Sequence, residues 1–190
     1  MKEIALVFLA TGFEDIEAIA QVDILRRAGI AVKTVSVEKQ LQVISAHNVS
    51  VKADMLIDDL AEDAAPLAII LPGGLPGASN LFASKKLMNL IKKQNEAKRW
   101  IAAICASPGV VLAPSGVLND RKATAYPSFE KHFDKSTSYI SEGVVLDGHI
   151  ITAQGPAFSI PFGLTIAKAI KGEAVAREVA NGMLVRNDLW

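Results

Sequence analysis

The sequence predicts an α/β fold in which helices cover both faces of a doubly wound, mostly parallel sheet. Short apolar runs typical of strands buried on both faces occur at 4–9, at 67–71 and just before Cys105. They alternate with segments of helical periodicity, and most end in turns that contain glycine or proline. Strands that alternate with helices are joined by crossovers, which place the strands parallel in one sheet.

The first half of the chain contains three predicted strands, two helices and a hairpin. Apolar residues from Ile16 to Ile24 recur at helical spacing, which makes Ile16 and Ile19 candidates for the core. The predicted elements are strands at 4–9, 32–37 and 67–71, helices at 16–28 and 87–97, and a hairpin of 42–45 with 49–53.

In the second half, a strand stops at Cys105 and a helix begins at Pro108, which suits a first helical turn because it lacks a backbone N–H. Gly116 is placed to cap that helix. Asp147-Gly148 predicts a two-residue hairpin turn within 144–152. The other predicted elements are a short strand at 122–125 and helices at 160–170 and 173–181.

The composition indicates one globular domain over residues 1–190, without a repeat or linker. Twenty basic residues balance twenty acidic ones, so charge gives no argument for a nucleic-acid or anionic-membrane partner. The apolar run at 4–10 is too short to cross a membrane and lacks a signal-peptide cleavage pattern. A single cysteine cannot form an internal disulfide, which favours a reducing compartment such as the cytoplasm.

Cys105 is the candidate nucleophile. It lies at a tight strand-to-helix turn, the geometry of a nucleophile elbow, and a helix N-terminus lowers the pKa of a thiol. The alternative is a small buried cysteine that fills space at a crowded turn.

Other candidate residues follow predicted strands and therefore meet Cys105 at one edge of the sheet. Backbone N–H groups at Gly73-Gly74 and at Ala106 would form an oxyanion hole beside the thiol, whereas the alternative for the two glycines is an ordinary strand-to-helix turn. Tyr126 is a candidate for orienting substrate or, alternatively, a packing residue at a strand end.

Glu17 lies near the start of the first predicted helix, at the same edge. A thiolate and a carboxylate do not share a pocket cheaply, so we expect Glu17 to be neutral and to donate a hydrogen bond to the sulfur. The alternative is a solvated acid favoured by the helix dipole.

The three histidines, His47, His132 and His149, lack metal-ligand spacing, and with one cysteine we expect no metal site. His132 and His149 are expected on the surface.

Several motifs resemble the ThiJ/PfpI superfamily, and most of all its branch of parkinsonism-associated deglycases and their bacterial relatives. The resemblance extends over nearly the whole chain. The matching segments are 12–17, 26–30, 71–74, 102–108 and 154–156.

The resemblance implies a flavodoxin-like sandwich of three layers and a homodimer. It also implies a reactive Cys105, a protonated Glu17 and backbone donors at Gly74 and Ala106. Activities attributed to such proteins are cofactor-free conversion of glyoxals to hydroxy acids, deglycation, oxidative-stress sensing, chaperoning and, in one branch, proteolysis.

The chain departs from that family pattern at three positions. Tyr126 stands where many relatives have histidine, and a phenol is a poor proton shuttle at neutral pH. Ala106 stands where the protease branch has histidine, and the late histidine–glutamate pair of the related glutamine amidotransferases is not found. Ser107 replaces the usual glycine.

We therefore expect a cofactor-free enzyme that converts reactive dicarbonyls, methylglyoxal to lactate, through attack of Cys105. The second expectation is a peroxide-responsive stress protein in which Cys105 becomes a sulfinate, with a possible chaperone role. A peptidase or a thiazole-biosynthesis role rests only on family labels.

Overall fold

The computed structural model describes residues 3–186, Asp188 and Trp190. Its centre is a seven-stranded sheet with the strand order β10-β11-β7-β6-β1-β2-β5. The strands of this sheet are β1 (Ile4–Leu9), β2 (Ala31–Ser36), β5 (Met55–Leu56), β6 (Ala68–Leu71), β7 (Trp100–Ile104), β10 (Val144–Asp147) and β11 (Ile150–Ala153). Neighbours are parallel except β10 and β11, which form an antiparallel hairpin.

Among the described residues, two pairs of short strands lie outside the main sheet. Strands β3 (Gln42–Ile44) and β4 (Ser50–Lys52) form the hairpin predicted around His47-Asn48. Strand β8 (Lys122–Ala123) pairs with β9 (Ser138–Tyr139), and β8 is two residues shorter than the predicted strand.

In the part of the chain that the structure describes, five α-helices cover the two faces of the sheet. They are α1 (Asp15–Arg27), α2 (Gly77–Ala83), α3 (Lys85–Glu96), α4 (Ser159–Lys171) and α5 (Glu173–Gly182). Alternate residues of β1 point to opposite faces. Ala5, Val7 and Leu9 pack with α1, α4 and α5, whereas Leu6 and Phe8 pack with α2 and α3. The predicted three-layer flavodoxin-like α/β fold is confirmed.

The predicted burial of side chains was wrong at two places. Ile16 and Ile19 are 56% and 44% exposed, because the buried face of α1 is formed instead by Glu17, Gln21 and Ile24 with their neighbours. His149 is half-buried rather than on the surface, because its Nε2 lies 2.8 Å from Asn95 Oδ1 on α3.

The segment after Cys105 also differs from its prediction. Residues Pro108–Leu112 form a π-helical turn rather than the start of a longer α-helix. Turns then lead to Gly116, which has the positive φ of +74° expected of a capping glycine.

The order of the strands creates the crevice in which the candidate site lies. The chain runs from β1 outward to β2 and β5, and then returns to β6 and β7 on the other side of β1. In open α/β sheets, ligands bind at such a reversal, beyond the carboxyl ends of the strands. The loops after β1, β6 and β7 meet there. None of the helices in the described ranges is both long enough and apolar enough to span a bilayer.

Candidate active site

Cys105 occupies a strained backbone position directly after β7. Its φ is +65°, which is uncommon for a residue with a side chain. Two hydrogen bonds hold it there: the Cys105 N–H donates to Ala153 O at 2.9 Å, and the Tyr126 N–H donates to Cys105 O at 2.9 Å. The thiol is half-buried at the carboxyl edge of the sheet. This is the predicted geometry of a nucleophile elbow.

Glu17 is fully buried in the first turn of α1, so it is not the solvated acid of the alternative prediction. The N-cap of the helix is Glu14, whose Oε2 accepts the Glu17 N–H at 2.7 Å. Glu17 Oε2 accepts the Gly73 N–H at 2.7 Å, and the carboxyl group also hydrogen-bonds to Cys105. Within the described residues, Glu17 Oε1 has no nitrogen or oxygen partner.

Gly73 and Gly74 follow β6 and fit closely against both side chains. A Cβ at Gly73 would lie 2.6 Å from Cys105 Cβ and 2.7 Å from Glu17 Oε2. Gly74 has a φ of +84°, and its N–H is directed at the sulfur of Cys105. The Ala106 N–H is the second backbone donor to that sulfur. The structure therefore brings together Cys105 and Glu17, with the predicted donors Gly74 and Ala106.

The thiol and the carboxyl group titrate as one unit. Burial raises the pKa of Glu17 to about 7. Burial, then the negative charge of Glu17 and its hydrogen bond, raise the pKa of Cys105 to about 12. The sequence predicted a lowered pKa for the Cys105 thiol. Beside an ionised Glu17 the pKa of this thiol is raised instead. The five-residue π-helical turn also offers little of the helix dipole on which that prediction relied.

Between these two pKa values the pair holds a single proton. The hydrogen bonds favour its location on Glu17. Two backbone N–H groups point at the sulfur, whereas the carboxyl group accepts one, from Gly73. Glu17 Oε1 accepts no hydrogen bond from the described residues, so burying the charged carboxylate is costly. When Oε1 carries the proton, the carboxyl group is neutral and this cost disappears. The arrangement is compatible with a thiolate beside a neutral acid.

Tyr126 lies at the same edge but is 46% exposed. Its ring is close to Gly155, where a Cβ would lie 3.2 Å from Tyr126 Cδ2, and forms an edge contact with Phe129. Its backbone N–H bond to Cys105 O ties the following loop to the elbow.

Comparisons with known proteins show the family to which this chain belongs. A model of the DJ-1/PfpI family matches residues 3–169. The chain belongs to the DJ-1/PfpI family. Protein dj-1beta of Drosophila melanogaster is 37% identical over 186 residues, which are 97% of this chain and 98% of that protein. Protein DJ-1 homolog A of Arabidopsis thaliana is 39% identical over 182 residues, or 95% of this chain, but this chain spans only 46% of its length.

Solved DJ-1 structures share the fold along nearly the whole chain. The structure of oxidized Toxoplasma gondii DJ-1 matches with a TM-score of 0.92 at 37% identity, over 95% of this chain and 97% of that one. The predicted family is thereby confirmed.

This DJ-1/PfpI chain also has a polar cluster beside the site that was not predicted from the sequence. Asp15 Oδ1 accepts the Ser45 hydroxyl at 2.5 Å, and Asp15 Oδ2 lies 2.7 Å from His47 Nδ1. The cluster joins the β3–β4 hairpin to the start of α1. Glu14, Asp15 and His47 bring potential metal-ligand atoms within 4.8 Å of one another, but the positive end of α1 disfavours a cation there. These contacts join residues about 30 positions apart, so local motifs do not reveal them.

Proposed function

We propose that this DJ-1/PfpI protein is a cofactor-free enzyme that converts reactive dicarbonyls into hydroxy acids, with methylglyoxal and lactate as the model pair. The buried Cys105–Glu17 pair, with backbone donors from Gly74 and Ala106 directed at the sulfur, carries the proposal. It provides a nucleophile, one mobile proton and two fixed hydrogen-bond donors in one crevice.

The first step is attack of the Cys105 thiolate on the aldehyde carbon of methylglyoxal. A sulfur–carbon bond forms and the carbonyl electron pair moves onto the oxygen. The sulfur no longer carries a negative charge once this bond has formed. The Gly74 and Ala106 N–H groups then stabilise the negative charge on the oxygen. Glu17 then gives its proton to the oxygen, which leaves a neutral hemithioacetal and a Glu17 carboxylate.

The second step is an isomerisation within the bound substrate. The Glu17 carboxylate removes the hydrogen from the former aldehyde carbon, and the resulting enediol takes a proton on the neighbouring carbon. The product is a lactoyl thioester on Cys105. Water cleaves that thioester to release lactate and restore the pair. The sum is methylglyoxal plus water giving lactate, with no external oxidant or reductant.

A histidine shuttle has no place in this scheme. His47 is bonded to Asp15, His149 is bonded to Asn95, and His132 is exposed on a surface turn. In the described residues, therefore, no histidine is positioned to complete a peptidase-like pair with Cys105. Glu17 carries the proton transfers alone, with Tyr126 orienting the substrate, and we expect a slow enzyme.

A second function, peroxide sensing, is supported by the partial exposure of the same thiol. Two equivalents of peroxide convert the thiol into a sulfinate and release two of water. The chain has one cysteine, so no internal disulfide diverts this oxidation. The donors Gly74, Ala106 and protonated Glu17 suit the sulfinate oxygens. Selective oxidation without saturable turnover would favour this function.

We also propose a homodimer that works in a reducing compartment such as the cytoplasm, where the free thiol persists. Ile16 and Ile19 on α1 leave an exposed apolar surface. The β3–β4 hairpin, with the exposed Ile44 and Val49, is bonded to the loop that precedes α1. A second copy would cover this surface, and light scattering of Ile16→Glu against wild type tests it.

The enzymatic proposal is tested by steady-state formation of lactate from methylglyoxal, with chelator-treated wild type, Cys105→Ser and Ser115→Ala. We expect saturable turnover in wild type and Ser115→Ala, and none in Cys105→Ser. Equal rates in wild type and Cys105→Ser would refute the proposal.

A further inference from the structure

A buried hydrogen bond from a side chain to the backbone links the two loops that supply the backbone donors of the site. Ser107 is fully buried, and its Oγ donates to Pro72 O at 2.6 Å. Ser107 follows Ala106 in the elbow, and Pro72 precedes Gly73 and Gly74 after β6. Among the described residues, Pro72 O has no other donor.

We propose that Ser107 is a positioning residue that holds the loop after β6 in the register at which Gly73 and Gly74 engage the acid and the thiol. The inference rests on the proposed role of the Cys105–Glu17 pair, although its test does not need dicarbonyl turnover.

The bond acts on a segment with little freedom. Directly after Pro72, the Gly73 N–H donates to Glu17 Oε2 at 2.7 Å and Gly73 O accepts the Glu14 N–H at 3.0 Å. The next N–H, that of Gly74, is directed at the sulfur. A displacement of Pro72 is therefore passed to both members of the pair within two residues.

The site is closely packed, so a displacement of Pro72 changes the contacts of Cys105 and Glu17. A methyl group does not fit at Gly73, where a Cβ would lie 2.6 Å from Cys105 Cβ. Loss of the Ser107 hydroxyl leaves the buried carbonyl oxygen of Pro72 without a hydrogen-bond donor. A shift of the loop that lets this oxygen accept a hydrogen bond from water lowers the free-energy cost. Such a movement would draw the Gly74 N–H away from the sulfur and weaken the thiolate.

The test measures alkylation of Cys105 by iodoacetamide as a function of pH, with amide NMR shifts of Gly73 and Gly74. The variants are Ser107→Ala and Ser107→Gly. Ser115→Ala is the matched control, because Ser115 Oγ also donates to a carbonyl, Leu112 O, at 2.6 Å but lies outside the site.

We expect alkylation at neutral pH to slow by about 2- to 12-fold in both Ser107 variants, the range that loss of one hydrogen bond allows. The Gly74 amide should shift, kcat should fall more than KM changes, and Ser115→Ala should behave as wild type. Alkylation and Gly74 shifts that match those of Ser115→Ala would overturn the proposal. Failure of both Ser107 variants to fold would also overturn it, since Ser107 would then serve the fold itself.

If Cys105→Ser turns over normally while the Ser107 variants alter alkylation, the proposed enzyme fails and the positioning role stands. If Cys105→Ser is inactive and the Ser107 variants are alkylated like Ser115→Ala, the enzymatic proposal stands and the positioning role is refuted.

Discussion

Replacement of Glu17 distinguishes the two possible locations of the shared proton. Glu17→Gln keeps an oxygen for the Gly73 N–H and an N–H for the sulfur, but it carries no titrating proton. Glu17→Leu removes all of these. If the wild-type pair is a thiolate beside a neutral acid, Glu17→Leu removes a charge-assisted hydrogen bond to the sulfur, whereas Glu17→Gln replaces it with a weaker one.

The size of the effect follows from that bond. A hydrogen bond to a charged group contributes about 1.5–3 kcal/mol, which corresponds to a rise of roughly 1–2 units in the pH of thiolate formation for Glu17→Leu. Glu17→Gln should rise by less, because its N–H still donates to the thiolate but is a weaker donor than the O–H of a protonated carboxyl group. Methylglyoxal turnover should fall by about 10²- to 10⁴-fold in both, since the proton carrier is lost.

The assay is thiolate absorbance against pH, with iodoacetamide alkylation as a second readout and Glu178→Gln, on the exposed side of α5, as a control. We expect midpoints in the order wild type, Gln, Leu. A midpoint in Glu17→Gln below that of wild type would refute the reasoning, because it would show that the carboxylate holds the charge and the thiol holds the proton.

Three further predictions follow from the same geometry. Burial raises the pKa of Glu17 from 4.5 to about 7, so the folded pair keeps both of its protons up to about pH 7, whereas the unfolded chain loses one near pH 4.5. The stability that this retention gives is present below pH 4.5 and is lost as the pH rises through 7. Wild type should lose up to about 3 kcal/mol of unfolding free energy, relative to Glu17→Gln, across that window in urea titrations; equal pH profiles would contradict this. Gly73→Ala should lower kcat by about 10²-fold or more, whereas Gly182→Ala, with open space around its Cβ, should not. Tyr126→His should raise kcat and Tyr126→Phe should cost little; a large loss in Tyr126→Phe would show that the tyrosine is catalytic.

The residues of the candidate site could be predicted from the sequence because each of them lies next to the end of a predicted strand or the start of a predicted helix. Residues that directly follow parallel strands must meet at one edge, so Cys105, Gly74 and Ala106 were predicted together. Glu17 followed from its place in the first turn of the next helix, although its full burial did not.

The remaining features depend on contacts between distant segments. Apolar spacing in α1 indicated a helix but assigned Ile16 to the core, whereas the face that begins at Glu17 is turned inward to place its carboxyl group at the thiol. The bond from Ser107 to Pro72 joins residues 35 positions apart. The raised pKa of Cys105 results from burial and from the charge of Glu17, and neither can be deduced from the local turn motif.

The most direct test of the central claim follows methylglyoxal labelled with ¹³C at the aldehyde carbon. NMR spectra are recorded with wild type, Glu17→Gln and Cys105→Ser. We expect labelled lactate in wild type, a hemithioacetal signal that accumulates with little lactate in Glu17→Gln, and neither in Cys105→Ser. Lactate formed by Cys105→Ser, or formed by Glu17→Gln at the wild-type rate, would contradict the claim.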